Sequence, residues 1–181
     1  MGFRYEIRFS GEGGQGLVLA GKIFAEAAAI YDDLNATQSQ SYGPEARGGS
    51  SRSEVIISDE EIDYPKAMHI DLLLALTQEA LDRYHVDMKE NSIIIVDEDA
   101  ALRLPAGPFK IYKLPIVRLA REKVGRALVA NIVAIGIIAG VSQIVSDRAL
   151  REAIKARVPK GTEEINMKAF EIGLEAAKRL K

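Results

Sequence analysis

Residues 3–30 read FRYEIRFSGEGGQGLVLAGKIFAEAAAI, and this stretch decides the fold. Apolar and charged residues alternate over 3–10, which predicts a half-buried strand with its charged side chains facing away from the core. Residues 15–30 carry apolar side chains at helical spacing, with Leu17, Ala20 and Phe24 on the predicted inner face. A glycine-rich turn joins the two elements. A strand, a glycine turn and a helix in that order open an α/β unit.

The turn itself, SGEGGQG at 10–16, fits the pattern G-x-G-x-x-G. Glycines at these places let the chain turn tightly and bring backbone N–H groups close to an anion, and the following helix adds a partial positive charge. We therefore predict a cofactor-binding or ligand-binding turn. The alternative is that the glycines only allow the helix to pack closely on the strand. The predicted ligand-binding residues are Gly11, Gly13, Gly14, Gln15 and Gly16.

One requirement of dinucleotide binding is missing. A dinucleotide fold needs an acidic residue about 20 positions after the turn, at the end of the second strand, to hold a ribose hydroxyl. Gln38, Gln40 and Tyr42 occupy that place, whereas Asp32 and Asp33 precede the strand. A stand-alone nucleotide-binding protein of the Rossmann type therefore stays only as an alternative.

A second unusual stretch is TQSQSYGPEARGGSSRSE at 37–54, which contains no Val, Ile, Leu, Phe or Met. If 35–42 form a strand, hydroxyl side chains lie on one face and glutamine and tyrosine side chains on the other. Neither face can join an apolar core, so the strand must meet water, a ligand or another chain. Arg47 and Arg52 supply forked donors that suit carboxylate or phosphate. The alternative is a solvated surface loop.

The rest of the chain predicts further strands at 54–58, 69–76, 92–96 and 110–114. The continuous apolar run at 69–76 suits a strand covered on both faces. Helices are predicted at 78–84, 116–123, 130–145 and 147–157, the last capped by Asp147. Thr162 is predicted to cap a final helix. The prediction is one doubly wound α/β domain over 1–181, with a mainly parallel sheet and a helical C-terminal third.

Composition excludes several functions. The 181 residues carry a formal net charge of -2, which does not suggest a nucleic-acid surface. Absence of cysteine excludes disulfides, thiolate metal sites and iron–sulfur ligation by this chain. The uncharged stretch at 127–146 approaches the length of a membrane span, but Asn131 and two glycines favour a helix buried inside the protein. Charges interrupt every apolar run near Met1, so no signal peptide is expected.

Three stretches together resemble a known family. They are GEGGQGLVLAGKIFAEAA at 11–28, ATQSQSYGPEARGGSSRSEVIIS at 36–58 and NIVAIGIIAG at 131–140. The chain is similar over nearly its whole length to the gamma subunit, a pyruvate/ketoisovalerate-type domain, of 2-oxoacid:ferredoxin oxidoreductases. The middle stretch is most similar to the 2-oxoglutarate branch. The resemblance rests on the GGQG turn followed by SYGPEARGG.

The resemblance implies a subunit of an enzyme that converts a 2-oxoacid, coenzyme A and oxidised ferredoxin into acyl-CoA, CO2 and reduced ferredoxin. Coenzyme A is then a co-substrate, and thiamine diphosphate, Mg and iron–sulfur clusters belong to partner alpha, beta and delta subunits. The isolated chain is expected to be inactive, to bind no cofactor or metal alone and to self-associate. A cytoplasmic location, without nucleic-acid or membrane partners, is also expected.

The resemblance further implies that the polar stretch is an inter-subunit surface close to coenzyme A. Its predicted interface or CoA-proximal residues are Gln40, Tyr42, Gly43, Glu45, Arg47, Gly48, Gly49 and Arg52. No residue is matched to a catalytic role. His69 and His85, the only histidines, are predicted to be structural or exposed rather than general bases.

Overall fold

The computed structural model describes residues 2–42 and 49–180, with Tyr42 described through its backbone alone. One sheet has six strands in the spatial order β2-β3-β1-β4-β5-β6. The strands are β1 Arg4–Glu12, β2 Asn35–Tyr42, β3 Ser50–Ser58, β4 Ile70–Ala75, β5 Met88–Asp97 and β6 Lys110–Leu114. The α-helices are α1 Leu17–Glu26, α2 Gln78–Tyr84, α3 Ile116–Leu119, α4 Ala130–Ser142, α5 Asp147–Arg157 and α6 Glu163–Lys178.

The sheet is mainly parallel, as predicted. β1 runs parallel to β4, β4 to β5 and β5 to β6. β3 is antiparallel to both β1 and β2. β2 and β3 follow each other with a short connection, and such a connection can join only antiparallel neighbours, because a parallel pair needs a long crossover.

Helices cover both faces of the sheet. α1, α4, α5 and α6 pack with the apolar residues of one face, where the rings of Phe9 and Phe24 lie 5.9 Å apart between centroids. α2 covers part of the other face. β4 contributes Leu72 and Leu74 to the first core and Leu73 to the second. This strand is therefore covered on both faces, which confirms the prediction from its continuous apolar sequence.

α4 is a buried helix that crosses α6 closely through glycine. A Cβ atom placed on Gly136 would lie 2.3 Å from the carbonyl oxygen of Phe170, and one on Gly173 would lie 2.1 Å from that of Val133. The prediction that this apolar helix is buried inside the protein is confirmed. Over 2–42 and 49–180, no helix has both the length and the apolar character to cross a membrane.

Three local predictions were wrong. β1 is not half-buried, because Glu6 and Arg8 on its charged face are each only 3% exposed. The N-cap of α5 is Ser146 rather than Asp147, since the Ser146 hydroxyl accepts a hydrogen bond from the Ala149 N–H. Thr162 precedes α6, but its hydroxyl donates to the carbonyl of Pro159 instead of capping the helix.

Helix boundaries also moved. α1 begins at Leu17, not at residue 15, because Gly16 has the left-handed φ of 73° and stops the helix there. The helix continues after Glu26 as a single π-helical turn, Ala27–Tyr31. β3 and β5 begin at Ser50 and Met88, four residues before the starts predicted from their apolar residues. The added residues are mostly polar, and those of β3, together with Met88 of β5, pair with neighbouring strands through the backbone.

Candidate functional site

The glycine turn lies at the switch point of the sheet. β1 and β4 are parallel neighbours, yet α1 after β1 packs on one face and α2 after β4 packs on the other. The chain therefore leaves the carboxyl ends of these two strands in opposite directions and opens a crevice between them. In open α/β sheets, ligands bind in such crevices.

Hydrogen bonds within the turn fix its shape. The Glu12 N–H donates to Gln15 Oε1 at 2.7 Å, and the Gln15 N–H donates to the Glu12 carbonyl at 3.3 Å. Gly14 has φ 90°, and no atom of the described residues lies within 4 Å of a Cβ built on it. Left-handed φ values of this kind favour glycine. The side-chain amide oxygen of Gln15 thus closes the turn.

Gly11 and Gly16 are explained by packing. A Cβ on Gly11 would lie 2.2 Å from Gln15 Oε1. A Cβ on Gly16 would lie 2.4 Å from Asn131 Nδ2, and this amide donates to the Gly16 carbonyl oxygen at 3.1 Å. For these two glycines the alternative interpretation, close packing, accounts for the residue type. Their role in ligand binding stays a prediction.

Asn131 is a site residue that sequence reasoning did not identify as one. It is 5% exposed and anchors the start of α4 to the start of α1. The signal was present, because Asn131 is the strongly polar residue inside the apolar run at 127–141. From the sequence alone, this asparagine argues only against a membrane span.

The exposed part of the turn borders a cavity of about 280 Å³. Gly13 and Gly14 are exposed, and α1 begins beside them with neither a side-chain cap nor an acidic residue in its first turn. Leu128 forms an outer wall of the cavity and is 76% exposed. The lining residues are Gly14, Gln15, Leu76, Val117, Ala127, Leu128 and Ala130. This arrangement can offer backbone donors to an anion and an apolar wall to the rest of a ligand.

The polar stretch reaches the same place. Gly13 N–H donates to the carbonyl oxygen of Gly49 at 2.9 Å, so the end of the polar stretch is bonded to the glycine turn. The loop interpretation is wrong for residues 37–42 and 50–54, which lie in β2 and β3. The predicted interface residues Gly43, Glu45, Arg47 and Gly48 lie outside the described residues.

The dinucleotide alternative is not favoured by the topology. In that fold the second strand lies beside the first and ends near the glycine turn. Here β2 is the edge strand, and the antiparallel β3 separates it from β1. Gln38, which lies where an acidic residue would be needed, donates from Nε2 to Ser53 Oγ at 3.0 Å.

Gln40 and Arg52 line a different cavity, of about 450 Å³, on the α2 side of the sheet. We call it the polar trough. Its floor is formed by Arg8 on the charged face of β1 and by neighbouring residues of β3. Its outer wall is the loop before β4. The lining residues are Arg8, Ser39, Gln40, Ser41, Arg52, Glu54, Pro65, Lys66, Ala67, Met68 and Asp87.

A buried charge network forms the floor of the polar trough. Arg8 donates to Asp87 Oδ2 and, at 3.4 Å, to Glu54 Oε2. The guanidinium carbons of Arg8 and Arg52 lie 5.1 and 5.5 Å from the centre of the Tyr84 ring. Such contacts favour a cation over an aromatic face. Burial of Arg8 and Glu54 was missed because β1 was interpreted as half-buried.

Neither His69 nor His85 lines either of the two cavities. His85 Nδ1 lies 3.0 Å from the Leu81 carbonyl oxygen, one helical turn earlier. His69 contributes its backbone N–H, which donates to Glu6 Oε2 at 2.8 Å.

The fold and the glycine turn at its switch point belong to a defined class. The chain is a member of the pyruvate ferredoxin/flavodoxin oxidoreductase family, whose model matches residues 6–176. It is 50% identical over 179 residues to the 2-oxoglutarate synthase subunit KorC of Methanocaldococcus jannaschii, covering 98% of this chain and 96% of that protein. The family resemblance inferred from the sequence is therefore confirmed.

A solved structure agrees with this assignment. The gamma subunit of a keto/oxoacid ferredoxin oxidoreductase from Geobacter sulfurreducens is 51% identical, with a TM-score of 0.91 and 98% of both chains covered. A more distant relative is longer. The ketoisovalerate oxidoreductase subunit VorA of Methanothermobacter thermautotrophicus is 33% identical over 95% of this chain, which corresponds to 36% of VorA.

Proposed function

We propose that this chain is the gamma-type subunit of a 2-oxoglutarate:ferredoxin oxidoreductase. The complete enzyme decarboxylates 2-oxoglutarate oxidatively, transfers the acyl group to coenzyme A and passes the electrons to ferredoxin. The observation that carries the proposal is the 50% identity to a 2-oxoglutarate synthase subunit over almost the full length of both chains.

The composition of the chain supports the proposal that other subunits bind the redox cofactors. With no cysteine, the chain has no thiolate with which to bind an iron–sulfur cluster. We assign thiamine diphosphate, Mg and the clusters to partner alpha, beta and delta subunits. The length of VorA supports such an association, because there the same domain is about a third of one longer polypeptide.

Within that enzyme, we propose that the glycine turn helps to form the coenzyme A site. The exposed backbone of Gly14 and the start of α1 suit a phosphate group, whereas the Gly13 N–H is already bonded to the Gly49 carbonyl oxygen. The apolar wall that includes Leu76, Val117 and Leu128 suits an uncharged part of the same ligand. Tyr42 and Arg47 remain proposed neighbours of this site.

Reconstitution tests the enzyme assignment. The purified chain is mixed with the alpha, beta and delta subunits from the same organism, and ferredoxin reduction is followed with 2-oxoglutarate, pyruvate or 2-oxoisovalerate. We expect activity from the mixture alone, strict dependence on coenzyme A, and the highest kcat/KM with 2-oxoglutarate. Activity of the isolated chain, or a preference for another 2-oxoacid, would contradict the proposal.

A matched pair of variants tests the role of the turn. Gly14 and Gly161 have nearly equal φ values, 90° and 89°, and among residues 2–42 and 49–180 no atom lies within 4 Å of a Cβ built on either. Alanine therefore introduces similar backbone strain at both. We expect Gly14→Ala to raise the KM for coenzyme A about ten-fold, a loss of about 1.4 kcal/mol of binding, and Gly161→Ala to leave it unchanged. If the two variants had the same KM for coenzyme A, the glycine turn would not be part of the coenzyme A site.

A further inference from the structure

The two edges of the sheet differ in how they are protected. β6 has five residues, KIYKL, with two lysines, and it lies between Pro108 and Pro115. Short length, lysine and proline are devices that prevent an edge strand from pairing with another chain. β2 has eight residues, NATQSQSY, with no charge and no proline. The edge formed by β2 is therefore open to pairing.

The side chains of β2 also leave a passage across its surface. Ser39, Gln40 and Ser41 are exposed. In the sheet, Ser39 lies opposite Glu54 and Ser41 opposite Arg52, so the two serines share the face that forms the polar trough. Serine is small, and a long side chain from beyond the edge can pass over it towards β3.

Among the described residues that line the polar trough, cationic side chains outnumber carboxylates. Arg8, Arg52 and Lys66 line it, against Glu54 and Asp87. Both carboxylates already contact Arg8. Among the described residues, Glu54 is the only carboxylate within ion-pair distance of Arg52, 3.3 Å from its Nε, and Lys66 has no ion pair. Within this part of the chain, no carboxylate contacts the Nη groups of Arg52 or the ammonium of Lys66, so both can donate to an incoming carboxylate.

We propose that β2 accepts an extended segment of a partner subunit as a seventh strand, and that a glutamate or aspartate of this segment enters the polar trough. Neighbouring strands lie about 4.8 Å apart, so the added strand would lie about 10 Å from β3. A glutamate and an arginine side chain together span that distance across a serine. Main-chain hydrogen bonds to β2 supply affinity, and the acidic side chain facing Arg52 and Lys66 supplies specificity.

This inference rests on the proposed function, because the partner is another subunit of the same enzyme. Because β2 carries no charge, a second copy of this chain would not be repelled from the same edge. Pairing between two copies is therefore one outcome of the experiment. The isolated chain and the reconstituted complex are compared by hydrogen exchange at two protein concentrations.

The expected result is protection of 35–42 in the complex and not in the isolated chain. In an edge strand roughly every second N–H points away from the sheet and exchanges fast; pairing with a new strand would slow these amides. Unchanged exchange of 35–42 in an active complex would overturn the inference and leave the proposed function intact. If residues 35–42 were protected in the isolated chain, and more so at the higher concentration, the strand that pairs with β2 would come from a second copy of this chain. That result would overturn the partner-subunit inference. Failure of the complex to form would overturn both proposals.

Variants test the chemistry of the polar trough. Lys66→Gln changes an exposed loop residue, so the fold does not depend on it. We expect this variant to weaken assembly about five-fold and to reduce its dependence on salt. Ser39→Lys, which adds the charge that β6 already carries, is expected to weaken assembly by more than about ten-fold. The controls are Arg103→Gln and Ala106→Lys, at exposed positions outside this surface. Equal effects of test and control variants would overturn the inference.

Discussion

Gly13 N–H donates to the carbonyl oxygen of Gly49, with 2.9 Å between the two atoms. This bond continues the antiparallel pairing of β1 and β3, in which Glu12 lies opposite Ser50. It joins the glycine turn to the end of the polar stretch. Two stretches that looked like separate sites in the sequence therefore form one surface at the carboxyl end of β1.

Gly16→Ala is expected to destabilise the protein by about 2 kcal/mol or more. The φ of 73° disfavours alanine, and the new Cβ would collide with the side-chain amide of Asn131. Urea unfolding measures the loss. Gly161→Ala is the control, because its φ is also left-handed but its surroundings are open; it should lose only about 1 kcal/mol. Equal losses would mean that the contact with Asn131 contributes nothing.

Gly136→Ala is expected to destabilise the protein by about 1–3 kcal/mol, although alanine favours helices by about 1 kcal/mol over glycine. The reason is that its Cβ would lie 2.3 Å from the Phe170 carbonyl oxygen, so α4 and α6 must move apart. Thermal and urea unfolding measure the change. A variant more stable than the parent would contradict the close approach of α4 and α6 at Gly136.

Arg8→Ala is expected to cost about 3 kcal/mol, because it removes a buried guanidinium that contacts both Glu54 and Asp87 and leaves Arg52 as the remaining counter-charge of Glu54. The side chain of Arg8 is 3% exposed and that of Glu54 is 11% exposed. In a double-mutant cycle with Glu54→Gln, the double variant should lose less than the sum of the two single changes. Arg103→Ala, at a 75% exposed arginine in a surface pair, should change stability by less than about 1 kcal/mol. Additive losses for Arg8 and Glu54 would contradict the buried network.

Tyr5 makes the stability sensitive to alkaline pH. Burial raises the pKa of the Tyr5 phenol, and the nearby Asp71 carboxylate raises it further. The fold therefore favours the neutral phenol. Its contribution is fully present below the ordinary tyrosine pKa of about 10 and is lost as pH rises from there towards the folded-state pKa.

We therefore expect the free energy of unfolding to fall above about pH 10, the ordinary tyrosine pKa, and Tyr5→Phe to lessen that fall. Urea unfolding at a series of alkaline pH values measures both slopes. Tyr64→Phe is the matched control, since Tyr64 is 52% exposed. If Tyr64→Phe lessened the fall as much as Tyr5→Phe, the half-buried phenol of Tyr5 would not be its source.

Local patterns predicted most elements, because hydrophobic periodicity reports directly which side chains meet a core. β2 and β6 have the predicted bounds, and the predicted inner face of α1, with Leu17, Ala20 and Phe24, is buried. Caps were less predictable. Ser146 and Asp147 are both good capping residues, and the choice between them depends on where the chain enters α5, which is fixed by the packing of that helix.

The sequence by itself determined the α/β class, the glycine turn after β1 and the polar character of β2, since each follows from residue type and spacing. Only the tertiary structure decided what these features adjoin. Sheet order places β3 between β1 and β2, which separates Gln38 from the glycine turn and brings Gly49 to it. Packing of α2 over the charged face of β1, with the Tyr84 ring against the Arg8 guanidinium, makes Arg8 part of a buried network instead of a solvated residue. Contacts between distant segments depend on strand order, and periodicity within one strand carries no information about its neighbour.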